Sequence, residues 1–275
     1  MKIALFISGR ITCYEENLIP CLHTLSLKND IDLFISVNGI RDEYHIEAET
    51  KLNKWLKHIS YEEYHVPKNF ISNINPHTYL QNINGIDVPY KPLSCFYNDQ
   101  KAYKNIKIYE NKNNFKYNLY CKFRPDLIFK NLNSFNFKEI SIDKKIIYSC
   151  TQPVTCNFWG NATFPMLLSD AFAYGNEISM YRYVNTYNFI LKMNKKLNGK
   201  YRISYEPSLY ESTMNCLFYY AVNETNYLLE ADFKNTIIIN NSEEAIDLIK
   251  KFDIEIENFS CDYEINSNRR HRDKI

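Results

Sequence analysis

An open, mostly parallel α/β sheet of the doubly wound, Rossmann-like kind is the fold class this sequence predicts. Three observations carry that expectation. Residues 2–8 form an apolar run without alternation, as a parallel strand buried on both faces requires. Apolar runs and amphipathic helical stretches then follow in the order β-α-β-α-β through residue 66. At 275 residues and 45% hydrophobic content, the chain can also bury a sizeable core.

Each element has its own justification. Ser8-Gly9-Arg10 breaks the first apolar run. Leu18, Cys21, Leu22 and Leu25 then recur at helical spacing behind Glu15 and Glu16, whose charges suit the positive end of a helix dipole. Ile31 to Val37 reads as the second strand and ends in the turn pair Asn38-Gly39. A charged amphipathic helix is expected over 43–58, with Trp55 and Leu56 turned inwards, and Ile59 to Val66 reads as a third strand. Residues 67–92, with Pro67, Pro76, Pro89 and Pro92, show no period and are expected to be a long loop.

A Tyr-rich helix from Leu93 to Asn111 carries Phe96, Tyr97, Gln100, Tyr103, Ile106 and Tyr109. The strand leading to Arg124 follows, and Ile146 to Cys150 is another. Gln152 to Pro165 reads as a second irregular loop. Ser169 to Gly175 is a short strand or its turn, opening a helix over 177–195, and Pro207 to Tyr220 reads as a further helix. Thr236–Ile239 is expected as a strand, and Asn241 or Ser242 caps a helix over 243–251. The expected division is a catalytic-size domain over 1–232 and a small C-terminal α/β extension over 233–275, ending in the basic tail Arg269-Arg270-His271-Arg272.

Composition excludes several classes. The net charge of +1 gives no electrostatic case for nucleic acid or a membrane surface. Eight scattered cysteines form no CxxC pair or zinc spacing, and read as reduced thiols of a cytoplasmic protein. No stretch has the length of a membrane span, and the apolar start is too short for a signal peptide. The six histidines make no triad or metal motif, and GxGxxG, Walker, GxSxG and HExxH patterns are absent.

The chemistry-bearing candidates are polar residues that interrupt apolar surroundings. Ser8-Gly9-Arg10 lies at the end of the first strand, where glycine lets backbone approach a ligand and arginine can meet a phosphate. An ordinary strand-to-helix turn is the alternative. Tyr120 to Phe129 is an apolar, aromatic stretch broken by Arg124-Pro125-Asp126. Proline biases Arg124 towards extended backbone, which places both charges at the carboxyl end of a strand, where α/β sheets bind ligands. Arg124 and Asp126 are then either a structural ion pair or a diphosphate site. In the second case Asp126 holds Mn2+ or Mg2+ against the phosphates, or Arg124 acts without metal. Asp170 either caps a turn or acts on an acceptor, and Glu211 is a helix carboxylate that is either solvated or faces a cleft. Tyr97, Tyr103, Trp159 and Tyr174 are the aromatics of interest near such a cleft.

In this order the blocks resemble a diverse glycosyltransferase family of bacteria and large DNA viruses. The match is carried by Ile7-Ser8-Gly9-Arg10, Asp32-Leu33-Phe34-Ile35, Tyr117-Asn118 through Arg124-Pro125-Asp126-Leu127, Asp170-Ala171-Phe172-Ala173-Tyr174-Gly175 with Met180, and Pro207 to Glu211. It covers residues 1–220. The arginine directly after glycine and Asn118 in place of an acidic residue are departures from the pattern. The resemblance implies a GT-A-type fold with Arg-x-Asp where others carry Asp-x-Asp, and a nucleotide-sugar donor with a glycan or other hydroxyl acceptor. It implies that Ser8, Gly9, Arg10, Tyr97, Gln100, Arg124 and Asp126 meet the donor, with Asp126 on Mn2+ or Mg2+. Asp170 or Glu211 would orient the acceptor or act as base. A nucleotide- or glycan-binding module of the same fold, and another α/β transferase such as a sulfotransferase, are the alternatives. The location implied is cytoplasmic, the host cytoplasm if the source is viral.

Overall fold

Apolar runs and helical stretches assemble as an α/β sheet with helices on both faces. The structure, a computed structural model, describes residues 1–62, 80–83, 86–130, 132–151, 153–156, 162–165, 171–188, 191, 255–260 and 263–265. β1 (Lys2–Gly9) leads through a π-helical turn at Tyr14–Leu18 into α1 (Ile19–Ser26), then β2 (Asp30–Asn38), α2 (Glu43–Leu52) and β3 (Leu56–Glu62). A hairpin of β4 (Leu80–Ile83) and β5 (Ile86–Pro89) precedes the long helix α3 (Tyr90–Asn113). β6 (Leu119–Phe123), β7 (Leu127–Phe129), β8 (Ile146–Thr151), β9 (Pro153–Cys156), β10 (Ala162–Pro165) and β11 (Phe172–Gly175) follow. After α4 (Glu177–Val184) come β12 (Glu255–Ser260) and β13 (Tyr263–Ile265).

Among the described residues the main sheet has seven strands in the order β12-β8-β11-β6-β1-β2-β3. β1 runs parallel to both β2 and β6, and β2 parallel to β3. β11 alone is reversed, antiparallel to β6 on one side and β8 on the other, while β12 runs parallel to β8. The first three strands therefore step outward from β1, and the chain then returns to the opposite side of β1 for β6. In open α/β sheets such a reversal is where the binding crevice forms, here at the carboxyl ends of β1 and β6.

Side-chain period fixes the layers. Ile3, Leu5 and Ile7 of β1, Leu33, Ile35 and Val37 of β2, and Leu119, Cys121 and Phe123 of β6 share one buried cluster with Leu22 and Leu25 of α1 and Ala48 and Leu52 of α2. The intervening residues Phe6, Phe34 and Tyr120 face α3, as the ring contacts of Phe6 with Tyr103 and of Phe34 with Tyr109 record. α4 is capped by Asn176, whose side chain accepts from the Ser179 backbone N–H at 3.1 Å.

Several elements depart from the expected bounds. The helix expected over 43–58 stops at Leu52, because Trp55 already pairs with the sheet: its carbonyl accepts from Leu33 N at 2.8 Å. Trp55 is buried as expected, but in a turn. The loop expected over 67–92 contains the β4–β5 hairpin and the first turn of α3, and Gln152 to Pro165 contains the β9–β10 hairpin. Both hairpins are short two-stranded ribbons away from the main sheet, so they lack the long apolar runs that mark its strands. β12, from the C-terminal stretch, completes the edge of the main sheet. The expected helices over 207–220 and 243–251 and the strand over 236–239 lie outside the described residues.

Candidate functional site at the carboxyl ends of β1 and β6

The site is built by the alternation of two adjacent strands. In β6 the sequence Leu-Tyr-Cys-Lys-Phe sends Leu119, Cys121 and Phe123 into the core beneath α1, and Tyr120 and Lys122 to the α3 face. Phe6 of β1 is the register partner of Lys122, so Ser8, two residues on, lies on the same face one step nearer the carboxyl end. Lys122 Nζ donates both to Ser8 Oγ and to Asp99 Oδ1, the latter from α3. Only 4% of each of the Lys122 and Asp99 side chains is exposed, so this is a buried ion pair at the floor of the crevice. Buried charge is retained only with such pairing, because desolvating each ion alone costs several kcal/mol.

A second polar row continues across the same face. Ser36 of β2 donates to Asn98 Oδ1 of α3 at 2.8 Å, and Asn98 Nδ2 donates to Asn38 Oδ1 and to the Ser94 carbonyl. Asn105 of α3 donates to Ser60 of β3 at 3.3 Å. Seven residues, about two helical turns, separate Asn98 from Asn105, so both fall on the face of α3 that meets the strands. Polar contacts thus fasten this helix over the strand ends, alongside the aromatic packing of Phe6 and Phe34.

Arg124 and Asp126 form a two-pronged ion pair just beyond β6, with Nε to Oδ1 at 3.0 Å and an Nη to Oδ2 at 2.8 Å. Asp126 is buried while a quarter of the Arg124 side chain reaches solvent. The Arg124 backbone N–H donates to the Ala171 carbonyl at 2.9 Å, tying the end of β6 to the start of β11. Gly9 closes β1 with φ +90°, and a Cβ placed there would meet nothing within 4 Å among the described residues. Backbone strain, not crowding by those residues, is what calls for glycine here. Arg10 is exposed.

A divalent ion at Asp126 would compete with Arg124. Both oxygens of Asp126 already accept from Arg124, so a metal would have to displace a guanidinium from a buried carboxylate. Among the described residues no three His, Cys, Asp or Glu side chains gather closely enough to hold an ion. The described residues do not fit a resident Mn2+ or Mg2+ at Asp126.

Tyr97 and Gln100 of α3 face elsewhere. The Tyr97 ring packs edge-on against Tyr187 at 5.3 Å, and burial followed by the nearby Glu62 charge raises its pKa. Gln100 borders a groove of about 580 Å³ between α3 and α4, with Tyr103, Lys107, Glu177 and Tyr181. Glu177 at the start of α4 accepts from Lys107 at 2.6 Å and Lys116 at 2.8 Å. Burial pushes its pKa up, but those two ammonium groups prevail and hold it below the ordinary 4.5. Burial alone pushes the Cys121 thiol far up, which leaves it inert as a nucleophile. Asp170 and Glu211 lie outside the described residues.

The structure thus brings Ser8, Gly9, Arg124 and Asp126 to one crevice edge, and adds Lys122 and Asp99, which the sequence reading passed over. A signal for Lys122 was present: a cation inside an otherwise apolar strand, two residues before Arg124 and on the opposite face from the core. Nothing in the sequence pairs it with Asp99. Compared with known proteins, the sequence matches no family model and no curated protein.

Proposed function

We propose that this chain is a glycosyltransferase of GT-A type that moves a sugar from a nucleoside-diphosphate sugar, uridine or guanosine, to a hydroxyl of a glycan acceptor. One observation carries the reading: Ser8-Gly9 and Lys122/Arg124 flank the crevice where the strand order reverses. Ligands of open α/β sheets bind at such reversals, and a departing diphosphate develops negative charge that fixed cations stabilise. Gly9 would let the donor approach the backbone, and Arg124 would face its phosphates. In this proposal Arg10 contributes at the crevice rim, and Asp170 or Glu211 orients the acceptor hydroxyl or takes its proton.

A screen of uridine- and guanosine-diphosphate sugars by thermal shift, with and without Mn2+ or Mg2+, tests the donor. Ligand at about 100 times its Kd adds roughly 2.7 kcal/mol of stability. A shift with one donor class is expected; none with any donor overturns the proposal. The Mn2+ arm also tests Asp126 as a metal ligand. Asp126→Ala is expected to weaken donor binding equally in Mn2+ and in chelator, since it disturbs Arg124. A loss confined to the Mn2+ arm would assign Asp126 to metal.

A binding module without turnover is a second reading. It is favoured by the engagement of both crevice carboxylates: Asp99 pairs with Lys122, and Asp126 with Arg124. Neither can act as a base while so paired. Calorimetric binding of a donor without release of its diphosphate in the presence of glycan acceptors would select this reading.

A further inference from the structure

We infer that Asp99, Lys122 and Ser8 form a relay that makes the Ser8 hydroxyl a hydrogen-bond donor for a diphosphate held without a divalent ion, beside the Arg124 guanidinium. The inference rests on the nucleotide-donor reading and concerns how that donor is held.

The direction of the hydrogen bonds follows from what each group can do. An ammonium has three donors and no acceptor, so in the contact between Lys122 Nζ and Ser8 Oγ the lysine donates. The Ser8 oxygen is therefore the acceptor, and its own proton must point elsewhere. Ser8 is half-buried beside Gly9, and among the described residues nothing lies within 4 Å of a Cβ placed on Gly9. A ligand oxygen arriving there meets a hydroxyl whose donor Lys122 does not engage. The hydroxyl is also polarised by the lysine behind it, the arrangement that strengthens charge-assisted bonds.

Asp99 fixes the other end. Its carboxylate accepts from the same Nζ, and both side chains are almost wholly out of water. Lys122 Nζ lies over the Phe6 ring, 5.9 Å from its centroid. The lysine is held from both sides, and two of its three donors are used on Ser8 and Asp99. Lys122 and Asp99 act through Ser8 and are positioning residues; Ser8 is the group that touches the ligand. Asp99 balances the charge of Lys122 and Asp126 that of Arg124, so the site offers an anion polarised hydrogen-bond donors at Ser8 and at the exposed quarter of Arg124 rather than net charge. An oxygen-rich dianion suits such a site, which offers a hydroxyl donor and a nearby guanidinium.

Calorimetric titration of UDP, GDP and inorganic pyrophosphate into the full chain, in EDTA and in Mn2+, tests the inference. The nucleoside diphosphate that matches the donor is expected to bind equally in both buffers. Ser8→Ala is expected to weaken it about tenfold, the scale of one charge-assisted hydrogen bond, and Ser8→Thr, which keeps the hydroxyl, to restore it. Lys122→Met alone takes the ammonium from a buried carboxylate, so the folded control is the double variant Asp99→Leu/Lys122→Met. With its unliganded melting temperature preserved, this variant is expected to lose affinity as Ser8→Ala does; unchanged affinity would mean the pair is structural only and overturns the relay. Binding that requires Mn2+ and ignores Ser8→Ala overturns the relay and leaves the nucleotide donor standing. Pyrophosphate binding as tightly as UDP and GDP keeps the relay and removes the nucleotide donor. No binding by any of the three overturns both.

Discussion

Lys122 is the residue on which the local chemistry turns. Its burial beside Asp99 means that the pair is worth little compared with a well-packed apolar pair, whereas breaking it is costly. Lys122→Met is therefore expected to lose about 3–5 kcal/mol in urea unfolding, because it takes the cation from the buried Asp99 carboxylate. The double variant Asp99→Leu/Lys122→Met is expected to recover most of that loss. The non-additivity of the two changes is the signature of a coupled pair. Arg124 and Asp126 follow different logic: a quarter of the arginine is exposed, so solvent screens the pair, and its geometry matters more than its energy. Sequence could identify Arg124 and Asp126 because the proline between them announces a strand end. It could not identify Asp99, which is one carboxylate on a helix with many polar residues.

At the scale of elements, α3 is the organising piece. Its apolar ring contacts with β1 and β2 and its asparagines Asn98 and Asn105 fasten it across the strand ends. α4 is joined to it by charge, through Glu177 with Lys107, and by the Tyr103 hydroxyl donating to the Glu177 carbonyl at 3.0 Å. Because the folded pKa of Glu177 lies below the ordinary 4.5, its pairing stabilises the fold at neutral pH and is lost as pH falls through that lowered value. Glu177→Gln is expected to unfold at lower urea than the parent at pH 7, and the two midpoints are expected to converge as pH drops below 4.5. A gap that persists or widens in acid would show that the charge is not what joins the helices. The extent of α3 was legible from its recurring apolar residues, yet its first turn was not, since Tyr90-Lys91-Pro92 reads as loop. The β4–β5 hairpin had a readable mark in Asn84-Gly85, a pair that favours tight hairpins, but it stands among prolines and asparagines that blur the period.

For the whole molecule, the reversed strand β11 decides how the two halves join. It lies between β6 and β8, with Arg124 N bonded at its entry and Gly175 at its exit. Phe172 is fully buried among Phe123, Phe129, Phe135, Phe137 and Phe259, the last carried by the edge strand β12. This cluster links the centre of the sheet to its C-terminal edge. Phe172→Ala is expected to cost about 3–5 kcal/mol in urea unfolding, as large core truncations do. A loss below about 1 kcal/mol would show that the cluster collapses around the gap, against the close packing expected of such a core. No helix among the described residues is long and apolar enough to cross a membrane.

The sequence by itself determined the α/β class, the first three strands and their two helices, and the polar breaks at Ser8-Gly9 and Arg124-Pro125-Asp126. These features are local: apolar period and proline or glycine breaks act within a few residues, and the chain records them directly. Only the tertiary structure decided the reversal of β11, the place of β12 at the sheet edge, and the meeting of Ser8, Lys122 and Asp99. Asp99 comes from a helix that crosses the sheet, and Lys122 from a strand 114 positions beyond Ser8. Their contact is set by which strand β6 chooses as neighbour, a choice made by the energy of the whole packed sheet and written in no single stretch of sequence.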